Sequence, residues 1–213
     1  MRVQHDDFSL SGLTGFDLKG RTLGVIGAGK IGLHTIKMAR GFSMNVLAYD
    51  PFPQPFLTEL LVFRYVTMDE LLAQSDIVSL HMPFRKEARH FMSAARFAQM
   101  RRGALFINTA RGALVDTDAL LAALESGQVG GAGLDVIEGE EYISEERQLL
   151  EHAESAEQFK AVVRNHIIFR RDNVIFTPHN AFNSQEALER ILDTSADNIL
   201  AFAAGRAQNT VKA

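Results

Sequence analysis

Short apolar runs separated by amphipathic stretches recur along most of this chain. Thr22-Leu23-Gly24-Val25-Ile26, Asn45 to Asp50, Asp76 to His81, Ala104 to Asn108, Gly131 to Val136 and Val174 to His179 each read as a buried strand. Tyr65-Val66 is a shorter candidate. Between them, apolar residues recur at helical spacing. A helix is predicted after Gly32, and a second where Thr67-Met68-Asp69-Glu70 forms a capping box ahead of Leu71-Leu72. Further helices are predicted from Ser93 to Met100, from an Asp116 cap through Leu120, Leu121 and Leu124 to Gly127, and from Ser184 to Ala204, where Gly205 ends the chain's last helix. Strands buried on both faces and alternating with helices predict a parallel sheet covered on each side. The expected fold is therefore a doubly wound α/β domain, three-layered α/β/α.

Three stretches break the rhythm. Residues 1–21 mix Phe8, Leu10, Leu13, Phe16 and Leu18 with serine and glycine. They read as a lead-in arm that packs either on its own domain or at an interface. Pro51-Phe52-Pro53-Gln54-Pro55 continues neither strand nor helix. Residues 138–172 form an acidic excursion, with eight glutamates and one arginine between Glu138 and Glu157. A solvated face is expected there, on a helix-containing segment that touches the body through Leu149, Leu150, Phe159 and Val163. The small residues Gly131-Ala132-Gly133 suit a crowded sheet centre.

Composition narrows the function classes. With 213 residues, 46% of them hydrophobic, the chain can bury a sizeable core. A net charge of −4, from 22 basic and 26 acidic residues, argues against a nucleic-acid partner. No apolar run approaches the ~18–20 residues of a membrane span, so no membrane partner is expected. The polar start, Met1-Arg2-Val3-Gln4-His5-Asp6-Asp7, is unlike a signal peptide, and the absence of cysteine fits a reducing cytoplasm. No cluster has a familiar metal-ligand spacing, so no metal is expected.

The chemistry is concentrated between Thr22 and Asp50. An apolar strand runs into Gly27-Ala28-Gly29-Lys30-Ile31-Gly32, then a helix, a second strand and an acid. Gly27 allows the sharp turn, Gly29 lets backbone approach a pyrophosphate, and Gly32 lets the helix pack closely on the sheet. The helix N-terminus offers N–H groups and partial positive charge to phosphates. Asp50 lies 23 residues after Gly27, near the spacing of the acid that bonds a ribose 2′-OH. This is the order of a dinucleotide-binding Rossmann unit, with NAD favoured over NADP because Asp50 repels a 2′-phosphate. Ligands of open α/β sheets bind beyond the strands' carboxyl ends, where Asp50, His81, Arg111, Asp135 and His179 fall. Taken singly, His81 reads better as a structural histidine, Arg111 as an ordinary ion-pairing arginine, and His179 as a loop histidine beside Pro178.

Seven segments in order change those weights. They are Phe8 to Phe16, Gly24 to Gly32, Ala48-Tyr49-Asp50-Pro51, Ser79-Leu80-His81-Met82-Pro83, Asn108 to Asp116, Leu134-Asp135-Val136 and Thr177 to Phe182. Together they resemble the D-isomer-specific 2-hydroxyacid dehydrogenase family, and within it the fermentative D-lactate dehydrogenases. The resemblance implies catalytic roles for Arg111, in an Arg-Gly signature, for Glu140, five residues beyond Asp135, and for His179. The same five-residue spacing selects Glu140 over its neighbour Glu138. The resemblance also implies NAD contacts at Gly27, Gly29, Lys30, Ile31, Gly32, Asp50, Met82, Pro83, Thr109, Ala110, Arg111 and Asp135. A further contact, usually a small polar residue, falls on Ala88 and is not carried over.

The implied chemistry is the exchange of hydride between NAD(H) and a D-2-hydroxy acid/2-oxo acid pair such as lactate and pyruvate. Arg111 would grip the substrate carboxylate through paired hydrogen bonds. His179 would donate or accept the proton at the carbonyl oxygen. Glu140 would favour its imidazolium form. The resemblance further implies a cytoplasmic homodimer formed through the NAD-binding domain, residues 22–183, with the helix and tail at 184–213 packing toward a substrate domain. In the family that substrate domain comes mainly from the segment ahead of the dinucleotide-binding half. Here the match starts at residue 8, so a truncated form with little activity of its own is expected. The alternative reading is an NAD-binding regulatory or corepressor-like module without catalysis.

Overall fold

The structure, a computed structural model, describes residues 8–9, 14–140 and 156–210. The chain divides into two compact units, Met1–Phe176 and Thr177–Ala213.

Among the described residues the first unit has seven strands: β1 (Thr22–Ile26), β2 (Asn45–Tyr49), β3 (Arg64–Tyr65), β4 (Ile77–Leu80), β5 (Ala104–Asn108), β6 (Val129–Leu134) and β7 (Val174–Phe176). All pair in parallel, in the order β3-β2-β1-β4-β5-β6-β7. The strand order reverses between β1 and β4, which is where an open α/β sheet leaves a crevice for its ligand. The helices among its described residues are α1 (Lys30–Gly41), α2 (Phe56–Leu61), α3 (Met68–Gln74), α4 (Ala94–Gln99), α5 (Thr117–Glu125) and α6 (Ala156–Phe169). Two short 3₁₀ turns, Lys86–Ala88 and Gly112–Leu114, lie between them. The doubly wound α/β expectation is met.

Two apolar clusters hold the layers together. One gathers Leu23, Val25, Ile36, Ala39, Val46 and Phe63 around β1, β2 and α1. The larger one includes Leu71, Leu80, Phe97, Phe106, Leu120, Leu134 and Ile168. Within it Phe97 and Phe106 meet edge to face, with ring centroids 5.2 Å apart. The caps read from sequence are formed. Thr67 Oγ1 accepts from the Glu70 N–H at 3.3 Å, and Asp116 Oδ1 from the Ala119 N–H at 3.0 Å.

Several details differ from expectation. The proline-rich stretch leads straight into α2, which starts beside Pro55, a residue already in helical conformation. Val66 lies outside β3. The small-residue strand β6 is next to the sheet edge rather than at its centre, yet it is crowded. A Cβ on Gly131 would sit 2.8 Å from the Asn173 carbonyl oxygen, and one on Gly130 2.4 Å from that of Gly103. Phe159 and Val163 point away from the body of α6 and stay 51% and 43% exposed, while Val162, Asn165 and Ile168 are buried. The buried set recurs every three residues and defines the inner face; Phe159 and Val163 fall on the outer one. Leu149 and Leu150 lie outside the described residues, as do Leu10 and Leu13 of the lead-in arm. Of that arm, Phe8 and Phe16 are exposed, Leu18 packs on the β1–β2 cluster, and the Arg21 guanidinium lies over the Phe16 ring.

The second unit opens with Thr177-Pro178-His179 and carries α7 (Gln185–Ala203). The Ser184 side chain caps α7 by accepting from the Ala187 N–H, and Gly205, at φ +70°, follows its end. No residue of α7 is buried.

Candidate functional site

The first half of the site is the turn between β1 and α1. Gly27 has φ +96°, and a Cβ there would lie 2.8 Å from the His81 carbonyl carbon and the Met82 nitrogen. Only glycine fits this point, which fastens the turn to the end of β4. A Cβ on Gly32 would reach 2.0 Å from the Gly27 carbonyl oxygen, so α1 is seated directly on the turn that precedes it. Gly29 is the opposite case, because a Cβ there would meet nothing within 4 Å. As the N-cap of α1, Gly29 offers no side-chain acceptor, and no acid occupies the helix's first turn. The head of α1 therefore faces open space with uncapped N–H groups and a favourable dipole, as a pyrophosphate requires. Lys30 and Ile31 are exposed beside it.

Asp50 closes this half. One carboxylate oxygen accepts from the Ala28 N–H at 2.8 Å and the other from the Phe52 N–H at 2.9 Å. The acid at the end of β2 is thus tied to the glycine turn and to the start of the proline-rich stretch. A carboxylate has about four acceptor sites, so two backbone donors leave capacity for ribose hydroxyls. The residues present fit a dinucleotide.

His81 follows β4 on the same rim. Its Nε2 is 2.9 Å from Ser79 Oγ, and burial pushes the imidazole below its usual value. It is a hydrogen-bonded structural histidine beside the glycine turn. Met82 is half-buried and Pro83 exposed.

The second half surrounds Arg111. Buried Asn108, the last residue of β5, accepts from the Ala110 N–H at 3.0 Å and donates to the Arg111 carbonyl at 3.0 Å. It thereby shapes the Thr109–Arg111 loop, a role that sequence reading missed. An asparagine ending an apolar strand just before a loop was the available signal. Arg111 itself is exposed, its Nη1 donating to the Ala110 carbonyl at 2.6 Å. Gly112 packs against the loop after β6, where a Cβ would be 2.2 Å from the Ile137 carbonyl carbon and 2.5 Å from the Glu138 nitrogen. The Arg-Gly pair is thus pressed onto the turn that carries Glu140. In that turn the Glu140 N–H donates to the Ile137 carbonyl at 3.2 Å, and a Glu140 carboxylate oxygen accepts from the Ile137 N–H at 3.1 Å. Asp135 is buried at the end of β6. A cavity of about 500 Å³ opens here, lined by Arg111, Glu138, Glu140 and Arg164 among others.

Glu138 departs from the solvated face expected of it. Its side chain is only 15% exposed. One carboxylate oxygen accepts from Arg89 at 2.6 Å and His90 at 2.8 Å, and the other lies 3.7 Å from Arg164.

His179 belongs to the second unit, two residues after the unit begins. It is exposed and has φ +49°, an uncommon backbone region for a residue with a side chain, and its N–H donates to the Thr177 carbonyl at 2.9 Å. Among the described residues there is no group of three or more His, Cys, Asp or Glu side chains placed to hold a metal ion, and no helix is long and apolar enough to cross a membrane.

Comparison with known proteins agrees with this geometry. Residues 1–181 match the family model described as D-isomer specific 2-hydroxyacid dehydrogenase, NAD binding domain. A 2-hydroxyacid dehydrogenase homolog of Haemophilus influenzae is 42% identical over 209 residues, covering 96% of this chain and 60% of that protein. The D-lactate dehydrogenase of Escherichia coli is 41% identical over 202 residues, covering 93% and 58%. Among solved structures, D-lactate dehydrogenase from Aquifex aeolicus complexed with NAD and lactic acid superposes with a TM-score of 0.86 at 38% identity, covering 96% of this chain and 60% of that one. The chain thus spans about 60% of the length of the curated relatives it matches.

Proposed function

Since the chain belongs to the D-isomer-specific 2-hydroxyacid dehydrogenase family through its NAD-binding domain, we propose that it is the cofactor-binding part of an NAD-dependent oxidoreductase acting on a D-2-hydroxy acid/2-oxo acid pair, with lactate and pyruvate as the first candidates. The observation that carries this reading is the turn itself. It is closed at Gly27 and Gly32, open at Gly29, and tied to Asp50 at the point where the strand order reverses.

In this reading residues 22–183 form the cofactor domain, and 184–213 a helix and tail that pack toward a substrate domain. Bound NAD supplies or takes up the hydride. The chain's own residues do the rest. The head of α1 neutralises the pyrophosphate. Asp50 accepts from the ribose hydroxyls and disfavours a 2′-phosphate. Lys30, Ile31, Met82, Pro83, Thr109 and Ala110 line the cofactor, and Asp135 meets its carboxamide. Arg111 holds the substrate carboxylate in a two-pronged grip. His179 gives a proton to the carbonyl oxygen or takes one from the hydroxyl, with Glu140 as the acid proposed to assist it. A second copy of the chain is the proposed partner, and the cytoplasm the proposed location.

Calorimetric titration tests the cofactor assignment. NADH is expected to bind with micromolar to millimolar affinity, and Asp50→Ala to narrow the preference for NADH over NADPH. Absence of heat at millimolar NADH overturns the assignment. Reduction of pyruvate, followed by loss of NADH absorbance, tests the reaction. Turnover, even slow, that disappears in Arg111→Ala and His179→Ala supports the dehydrogenase. NADH binding with no turnover once the substrate-domain portion of the Escherichia coli relative is fused ahead of the chain favours the non-catalytic module.

A further inference from the structure

We infer that Glu138 is a positioning residue, the anchor that sets the Ile137–Glu140 turn and so aims Glu140 relative to Arg111. The inference rests on the roles proposed above for those two residues.

The turn that carries Glu140 is a single four-residue loop closed on itself by the Glu140 N–H on the Ile137 carbonyl and the Ile137 N–H on the Glu140 carboxylate. Such a loop holds its own shape but not its place. What fixes its place converges on Glu138. From one side, the carboxylate takes hydrogen bonds from Arg89 and His90, which belong to the loop after β4. His90 itself has φ +53° and is pinned through its N–H to the Ala113 carbonyl at 2.9 Å. From the other side, Arg164 of α6 approaches the second carboxylate oxygen, and fully buried Asn165 donates to the Glu138 carbonyl at 3.0 Å. From below, Gly112 leaves room only for the Ile137–Glu138 peptide.

Three segments distant in sequence therefore meet on this one residue. The charge arrangement explains why it is an acid. Arg89 and Arg164 would repel one another without an anion between them, and the Arg164 side chain, 11% exposed, has little water to fall back on. Asp118, which Arg164 also approaches at 3.4 Å, is more than half exposed and compensates less. Removal of the Glu138 charge thus loosens the Arg89, His90 and Arg164 attachments together and leaves the turn held by the Asn165 bond to its backbone and by Gly112.

The test uses the full chain with Glu138→Gln, Glu138→Asp and Arg89→Gln. Amide hydrogen exchange is read at Ile137 and Glu140, with Val78 and Phe106 as core references. Glu138→Gln is expected to speed exchange at Ile137 and Glu140 by roughly tenfold or more while the references keep their rates. Arg89→Gln removes an exposed partner and is expected to do the same to a smaller extent. Glu138→Asp keeps the charge and regains part of the protection. In pyruvate reduction, Glu138→Gln is expected to lower kcat on the order of tenfold to a hundredfold with KM for NADH unchanged. Unchanged exchange at both amides in Glu138→Gln overturns the inference, and if that variant does not fold, unchanged exchange in Arg89→Gln does so. No turnover with any 2-oxo acid once the substrate-domain portion is supplied removes the dehydrogenase reading, while the exchange measurement still decides whether Glu138 anchors the turn.

Discussion

Helices α1 and α7 are written in much the same way and meet different fates. Both follow a strand and a loop, both alternate apolar and charged residues at helical spacing, and both are closed at the end by residues suited to stop a helix. Yet α1 buries Gly32, Ile36 and Ala39 against β1 and β2, whereas α7, half as long again, leaves Leu192, Ile199, Leu200 and Phe202 between 68% and 80% exposed. An amphipathic period specifies a helix and the face it will bury. It does not supply the surface that receives that face. For α1 the receiving surface is encoded a few residues away on either side. For α7, no described residue of the helix is buried.

This contrast can be broken in order of expected effect. Gly32→Ala places a methyl group against the Gly27 carbonyl and should lift α1 off its turn. A loss of about 3 kcal/mol in urea unfolding is expected, with NADH binding falling below detection in calorimetry. An unchanged midpoint would mean that α1 is not seated as described. A smaller effect is expected from acid. His81 lies under the same turn, and burial holds its imidazole below the ordinary value. As pH falls below about 6.5, the unfolded chain takes up a proton that the folded one refuses. Its contribution to stability is therefore present above that value, is lost as pH falls toward the depressed folded value, and levels off beneath it. Unfolding midpoints from pH 8 to pH 5 should show this slope, and His81→Gln should flatten it. The smallest effect belongs to α7, where Leu192→Ala should change stability by less than about 0.5 kcal/mol. A larger loss would reveal a receiving surface for this helix in solution.

Much of the fold was legible because the signals were local. The six longer strands, the caps at Thr67 and Asp116, and the Ser184–Gly205 bounds of α7 follow from runs, capping side chains and glycine within a few residues of where they act. The glycine turn was legible for the same reason, since its partners, Ile26 and α1, adjoin it. What escaped depended on contacts across sequence distance. Nothing near Glu138 announces Arg89, His90 or Arg164, so an acid in an acidic run was read as solvated. Polar Asn165 takes an inward position on α6 in place of Phe159 or Val163, because the carbonyl it satisfies lies 27 residues earlier. Crowding at β6 was foreseen, but not its place near the edge, because small residues report close neighbours without saying which. Glu140 was set apart from Glu138 by the family resemblance, and the structure gives the two acids different partners.

The last strand carries a consequence for how the protein assembles. β7 has three residues, and its pairing of Leu134 with Phe176 joins positions some forty residues apart. Closing a loop of that length costs chain entropy before the ladder and the Phe169–Phe176 ring contact return anything. With three residues at one edge of the sheet, β7 is expected to be among the first strands to open. His179 comes three residues after it. The group proposed to handle the proton is therefore tethered to one of the shortest strands of the sheet.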